Sequence, residues 1–346
     1  RTSLWVDISK RIIKADISKW WKDGEIEWGF NERNGRLIIK GKGPLEDYAE
    51  RNKTCEMKDH YNYEVPWSKK YKEQIKSVFV CYGISSIGRD TFYGCENLAS
   101  VVLPKSVTSI GENAFQWCRN LKSITVPDSV HSIGDEAFYY CNGLESVKIP
   151  NSVTAIGQNA FNGCSSLASI TLPGSLENLG IDLFNGCTNL SQITVVGEGE
   201  NLKMVDGVLF DKDTTRLIWC QKKKRGSYTI PNTIKTIDPY AFHYCKKLTS
   251  IVIPDSVTKI GCYAFELVSL EKVIIPDSVV SIGNWAFFNC GGLHSLTLSH
   301  SLTSISDWAF SNCYSLASVV IPESITSIGS GAFQMCTKLT SVVIPD

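Results

Sequence analysis

The sequence predicts an α/β repeat protein: a solenoid with a parallel sheet on one side, short helical turns on the other, and an N-terminal β-hairpin cap. Two observations carry this. The unit Ile-Pro-x-Ser-Val-x-x-Ile-Gly-x-x-Ala-Phe-x-x-Cys-x-x-Leu-x-Ser-Val-x-Ile-Pro recurs ten times in 346 residues. Its marker phenylalanine falls at Phe92, Phe115, Phe138, Phe161 and Phe184, every 23 residues. It returns at Phe242, Phe265, Phe287, Phe310 and Phe333, with one step of 22. A period in the twenties with one repeated apolar set means that each unit buries a single face and needs neighbours to cover it.

Residues 118–141 show the elements of one unit. In Leu121-Lys122-Ser123-Ile124-Thr125-Val126-Pro127, Ile124 and Val126 share one face while Ser123 and Thr125 share the other. This is a short strand with an apolar back and a polar front, closed by Pro127, which cannot donate to a ladder. Ser129 to Ile133 is a second extended stretch, ended at a turn by Gly134. Asp135 to Cys141 suits a helical turn, with Ala137, Phe138 and Cys141 inward.

The same register predicts twelve parallel strands between Val78 and Val342. Residues 75–346 therefore form the repeat array, and residues 1–74 a capping region. In that region Ile26 to Phe30 and Leu37 to Ile39 flank Asn31–Gly35 as a β-hairpin. Pro66-Trp67 is an anchor, and the spacing of Leu4, Ile8, Ile12 and Trp20 fits an amphipathic helix. The array is interrupted near 196–227. There Val205 to Phe210 and Arg216 to Trp219, joined through Asp211–Thr215, read as an inserted hairpin.

Bulk numbers exclude more than they assign. Lys+Arg and Asp+Glu are both 35, so the net charge is zero, which argues against nucleic acid as a partner. No apolar run is long enough for membrane insertion. Nine cysteines, Cys95, Cys118, Cys141, Cys164, Cys187, Cys245, Cys290, Cys313 and Cys336, each follow a marker Phe by three residues. The remaining repeat has Val268 there, so the position reads as a small buried apolar site rather than a metal ligand or a bridge. Of the other four, Cys55 and Cys81 could pair in the cap, leaving Cys220 and Cys262. No Cys-x-x-Cys pair, phosphate loop or nucleophile elbow occurs, and the five histidines are scattered over the register. No catalytic residue, metal or other cofactor is implied. The chain stops in mid-repeat at Ile344-Pro345-Asp346, which leads us to expect a continuation or a packed partner at that end.

The repeat closely resembles the BspA-type, or Treponema-type, leucine-rich-repeat family over about residues 75–346. Gly35-x-Leu37-x-Ile39-x-Gly41-x-Gly43, Asp47-Tyr48, Pro66-Trp67 and Val205-Asp206-Gly207-Val208-Leu209-Phe210-Asp211-Lys212-Asp213 match as well. The resemblance implies a leucine-rich-repeat solenoid and a non-enzymatic protein, at the cell surface or secreted, that adheres to host or neighbouring-cell protein or glycan ligands. A structural spacer in a larger surface protein is the alternative. Departures are local: Asp238 and Ser306 replace the turn Gly, Ser299 the Pro and Val268 the Cys, which predicts softened coils.

Two surfaces are candidates for ligand binding. On the sheet front, Ser123, Thr125, Ser146, Lys148, Ser169, Thr171, Ser295 and Thr297 form a broad, nearly uncharged face; small β-formers suited to a crowded sheet would explain them equally. Two residues before the marker Phe, consecutive repeats carry Tyr240, Tyr263, Trp285 and Trp308, where earlier repeats carry Asn113, Glu136, Asn159 and Asp182. On a helical turn these aromatics would point outward as a stripe; the alternative is that they pack on neighbouring coils. The basic run Lys222-Lys223-Lys224-Arg225 is either a solvated loop or a contact for a sulfated glycan.

Overall fold

A computed structural model describes residues 17–45, 65–197 and 201–344. The chain forms two compact units, Arg1–Gly199 and Glu200–Asp346. The first unit has two sheets. Nine strands make the larger one: Trp20–Asp23, Ile26–Asn31, Arg36–Gly41, Ser77–Val80, Ser100–Val102, Ser123–Ile124, Ser146–Lys148, Ser169–Pro173 and Gln192–Val196. From Arg36–Gly41 onward they run parallel in chain order, each opposite the same residues one repeat on: Ser77, Ser100, Ser123, Ser146, Ser169 and Gln192 are in register. The second sheet stacks the segments that end in Ile-Gly, among them Ser109–Ile110, Ser132–Ile133 and Ala155–Ile156.

Recurrent features of the repeat make contacts between coils. In several repeats the hydroxyl of the Pro-x-Ser turn donates to the previous coil: Ser106 Oγ to Ile84 O at 2.6 Å, Ser129 Oγ to Val107 O at 2.6 Å, Ser278 Oγ to Val257 O at 2.7 Å; the equivalent Ser152, Ser256 and Ser324 hydroxyls are buried without this bond. The turn glycine lies against the backbone of the coil before it. A Cβ on Gly134 would sit 2.6 Å from Glu112 N, so a side chain there would force the coils apart. Where Asp238 and Ser306 replace that glycine, their side chains make bonds instead. Arg216 Nε donates to both carboxylate oxygens of Asp238, at 2.8 and 2.7 Å, and Ser306 Oγ donates to Ile282 O at 2.5 Å. These coils are re-tied rather than softened.

The expected helical turns do not form. Among the described residues the only helices are Ser68–Tyr71 and the short 3-10 turn Lys72–Gln74. The segment around each marker Phe is a pair of linked turns hydrogen-bonded to the next coil. Asn113, Phe115 and Trp117 donate to Asp135 O, Ala137 O and Tyr139 O at 2.9, 2.8 and 2.8 Å, while Gln116 and Cys118 close local turns. The reason is backbone handedness. The residues two before and two after the Phe are left-handed, φ 54° at Asn113 and 64° at Trp117, and the pattern repeats along both units. A left-handed residue ends a right-handed helix.

The core of each unit is a column of stacked phenylalanines, one per coil. Phe92, Phe115, Phe138 and Phe161 are fully buried at centroid spacings of 5.2, 5.4 and 5.4 Å. In the second unit Phe242, Phe265, Phe287, Phe310 and Phe333 stack at 5.1, 4.9, 5.3 and 5.6 Å. Phe138 lies between two rings inclined at 2° and 4° to it. Phe138→Ala is therefore expected to cost about 3–5 kcal/mol through lost transfer energy and a cavity that rigid neighbours cannot fill. Urea denaturation checks this, and a cost below about 1 kcal/mol would contradict it.

The N-terminal hairpin, Ile26–Asn31 with Arg36–Gly41, is not a separate lid. Arg36–Gly41 pairs in parallel with Ser77–Val80, Leu37 opposite Val78, so the hairpin prolongs the sheet. Trp67 continues the Phe column: it stacks 6.0 Å from Phe92, donates Nε1 to Thr91 O at 3.2 Å, and meets Trp28 edge-on at 6.0 Å. The amphipathic pattern at Leu4, Ile8 and Ile12, the Asp47-Tyr48 motif and residues 345–346 lie outside the described residues.

The second unit opens with an antiparallel meander, Leu202–Val205, Val208–Asp211 and Arg216–Cys220, whose last strand pairs in parallel with Thr236–Ile237. Its front strands are Gly226–Thr229, Leu248–Val252, Lys272–Ile274, Ser295–Thr297, Ser318–Val320 and Ser341–Val343. With Ser77–Val80 and its five successors in the first unit, the twelve expected strands are present, six in each unit. The 22-residue repeat omits one residue between Val268 and Leu270, and it loses the Cys-to-Leu turn that Leu293 N to Cys290 O, 3.0 Å, makes elsewhere.

Candidate functional site

Tyr240, Tyr263, Trp285 and Trp308 come together in the second unit as a ladder of near-parallel rings. Centroids are 4.7, 5.1 and 6.3 Å apart and planes are inclined by 10°, 6° and 8°. All four are half-buried, so each ring is covered by its neighbours and presents an edge to solvent. The ladder does not arise from a helix: the four residues are left-handed, φ 59°, 55°, 54° and 58°. It ends at Gly331, where a Cβ would lie 2.9 Å from the Trp308 ring. At the other end the edge of Tyr240 meets His243 at 5.6 Å. Burial, aided by the charges of Glu266 and Cys262, raises the Tyr263 phenol above its ordinary pKa.

This register position costs energy for a large side chain. A left-handed residue with a Cβ is disfavoured by about 1–2 kcal/mol, least so for Asn and Asp. In the first unit the position holds Asp90, Asn113, Glu136, Asn159 and Asp182, all left-handed and mostly of the tolerant type. Four successive Tyr and Trp residues forgo that tolerance. The three stacked pairs return on the order of 0.5–1.5 kcal/mol each, which offsets only part of the strain of four left-handed residues.

The sheet-front residues form two columns. Ser123, Ser146 and Ser169 are in register, as are Lys148 and Thr171, and Thr125 follows the strand Ser123–Ile124. Ser295 and Thr297 stand opposite Lys272 and Ile274 in the second unit. Ser123, Thr125, Ser146, Lys148 and Thr297 are exposed; Ser169, Thr171 and Ser295 are half-buried. The two columns differ between units: next to Thr297 the second unit exposes Val252, Ile274 and Val320, at 50, 52 and 63 %.

The nine ladder cysteines are buried and unbridged. Their thiols make a contact that the sequence did not show. Cys118, Cys141, Cys164 and Cys187 donate Sγ–H to the marker carbonyls of Phe92, Phe115, Phe138 and Phe161 at 3.1–3.2 Å. Cys290, Cys313 and Cys336 do the same to Phe265, Phe287 and Phe310 at 3.1, 3.5 and 3.2 Å. Cys245 instead faces Gln221 O at 3.7 Å. Burial pushes the Cys95 and Cys290 thiols up to about 12 and raises Cys118, Cys141 and Cys164 as well. Most of these thiols are expected to stay inert to a thiol-counting reagent at pH 8 and to react only after denaturation. Fast native reaction of the majority would contradict this. Cys81 and Cys220 are also buried and Cys262 is half-buried, whereas Cys55 lies outside the described residues.

One aromatic group escaped the sequence reading. Two residues after the marker Phe, the first unit carries Trp117 and Tyr140, left-handed at φ 64° and 55°, with ring centroids 6.0 Å apart and Arg119 4.9 Å over the Trp117 ring. Trp117 borders a cleft of about 590 Å³ that also touches Lys72, Tyr93 and Glu96. Among the described residues no group of three or more His, Cys, Asp or Glu is placed to hold a metal ion, and no helix is long and apolar enough to cross a membrane.

Stacked coils that repeat their core and vary their surface define a solenoid of the repeat protein-interaction class. A profile of the BspA-type leucine-rich-repeat region matches residues 85–213 and 219–340, in six copies, and the chain belongs to that family. Solved structures share the fold. A leucine-rich repeat protein from Eubacterium ventriosum is 28% identical, with 94% of each chain covered and a TM-score of 0.67. A leucine rich cell surface protein from Faecalibacterium prausnitzii is 26% identical, with 95% of each chain covered and a TM-score of 0.59. The pneumococcal vaccine antigen PcpA, at 22% identity over 95% of this chain and 82% of that one, has a TM-score of 0.61 and shows the fold alone. A search of curated proteins finds no match.

Proposed function

We propose that the chain is a non-enzymatic recognition module, held at the cell surface or secreted, that adheres to a protein or glycan of a host or neighbouring cell. The observation that carries this reading is the Tyr240–Tyr263–Trp285–Trp308 ladder. Core packing accepts Asn or Asp at this position, so the aromatics are surplus to the fold, and edge-exposed Tyr and Trp are the side chains that binding surfaces favour. The family and the surface protein among its structural neighbours support the location. The sheet fronts of the two units, Ser123 to Thr171 in the first and Ser295 with Thr297 in the second, are the second place to look. The test is a screen of the purified chain against extracellular-matrix proteins and a glycan array. Saturable binding supports adhesion; no binding to either set favours the spacer role and rejects this proposal.

A further inference from the structure

A run of four basic residues in a loop is ordinarily a solvated surface, and Lys222–Arg225 reads that way alone. Coil stacking changes its meaning. Lys224 is turned inward: Nζ donates to Asp206 O at 2.9 Å, pairs with the Asp206 carboxylate, and lies 4.4 Å over the Tyr228 ring. Burying that one cation leaves Lys223 and Arg225, on either side of it, exposed to solvent. The next coil then delivers two more. Gly226 N donates to Lys247 O at 2.9 Å, which sets exposed Lys246 and Lys247 beside the run. Tyr244, left-handed at φ 61°, holds its ring 5.5 Å from Lys222 Nζ and 5.0 Å from Lys246 Nζ. Five cations from two segments about twenty residues apart thus share one surface. The nearby Asp206 carboxylate is already engaged with Lys224. In a chain with equal numbers of acids and bases, this is a concentrated positive field.

We propose that Lys222, Lys223, Arg225, Lys246 and Lys247, centred on Tyr244, form a binding site for a sulfated polysaccharide. The chemistry selects this class of polyanion. The two segments are hydrogen-bonded neighbours, a strand spacing of about 4.8 Å apart, so their cations are close enough to meet successive anions of one linear chain. The Tyr244 ring is engaged by the Lys222 and Lys246 ammonium groups and by His243 at 4.4 Å, so it is less available than a free ring for a nucleobase to stack on. The named residues include no aliphatic side chain to enter a lipid bilayer. The patch uses residues outside the aromatic ladder, so the two sites can fail separately.

The experiment measures binding of the full chain to sulfated dextran, with unsulfated dextran, single-stranded DNA and phosphatidylserine vesicles as the other arms. Sulfated dextran is expected to bind, with log Kd rising against log salt at a slope of about 3–4, and unsulfated dextran is not. The variant Lys223→Gln/Arg225→Gln/Lys246→Gln/Lys247→Gln is expected to lose about tenfold or more in affinity and most of the salt slope. The equal-charge control Lys42→Gln/Lys76→Gln/Lys105→Gln/Lys122→Gln, all exposed positions in the first unit outside both candidate surfaces, is expected to bind like the parent. Parent-like binding by the patch variant overturns the site. Equal or tighter binding of DNA or of the vesicles overturns the ligand class.

Discussion

The first unit is expected to lose stability progressively as pH rises above about 8.5. Burial is the largest cause of the raised thiol pKa at Cys95, Cys118, Cys141 and Cys164, with Cys95 pushed up to about 12. An unfolded thiol titrates near 8.5. Above that pH the unfolded chain releases protons that the folded chain still holds. The stabilisation is therefore complete below about pH 8.5 and is lost as pH climbs toward 12. The four thiols act in the same direction, so their losses add as pH rises. Val268 shows that the site accepts a branched apolar side chain. Cys118→Val/Cys141→Val/Cys164→Val should accordingly move the alkaline midpoint upward, monitored by circular dichroism. An unchanged midpoint would show that the ladder does not set alkaline stability and that tyrosine ionisation dominates instead.

The legible part of this fold is the part the repeat spells out in apolar side chains. Ile124, Phe138 and Cys141 recur in fixed places and are buried for that reason, and the front strands follow from the same period. The turn was misread because Ala-Phe-x-x-Cys has helical spacing. The contrary signal was present in Asn113, Asn159 and Asp182 before the Phe and in Gly94, Gly163 and Gly186 after it, since these residue types tolerate left-handed backbone. Tyr, Trp, Leu and Met at the same positions in the second unit hid it. Contacts distant in sequence were not legible at all. Nothing local announces that Lys224 turns inward to Asp206, or that Leu37 pairs with Val78 and merges the hairpin into the sheet. The stacking of the four aromatics was legible from their period, but their half-burial was not, because it depends on a backbone conformation that period does not encode.

Replacing two rungs of the ladder by asparagine is expected to separate binding from folding. Asn is the residue that the same fold uses at Asn113 and Asn159, where φ is 54° at both, and it relieves the left-handed strain that Trp285 and Trp308 carry. In Trp285→Asn/Trp308→Asn the lost stacking of about 0.5–1.5 kcal/mol per pair is offset by this relief of about 1 kcal/mol or more per residue. The thermal midpoint should then move by only a few degrees. Binding should behave differently. If two aromatic edges are buried against a ligand, each contributes on the order of 1.5–3 kcal/mol. Their joint loss would weaken binding by a hundredfold or more to whichever matrix protein or glycan the screen identifies. Asn is a stricter choice than Ala here, because Ala would leave the strain in place and confuse a stability loss with a binding loss. A large drop in the midpoint would assign the ladder to packing. A normal midpoint with undiminished binding would move the ligand to the sheet columns around Ser146 and Thr171, whose replacement by lysine is the next variant to measure.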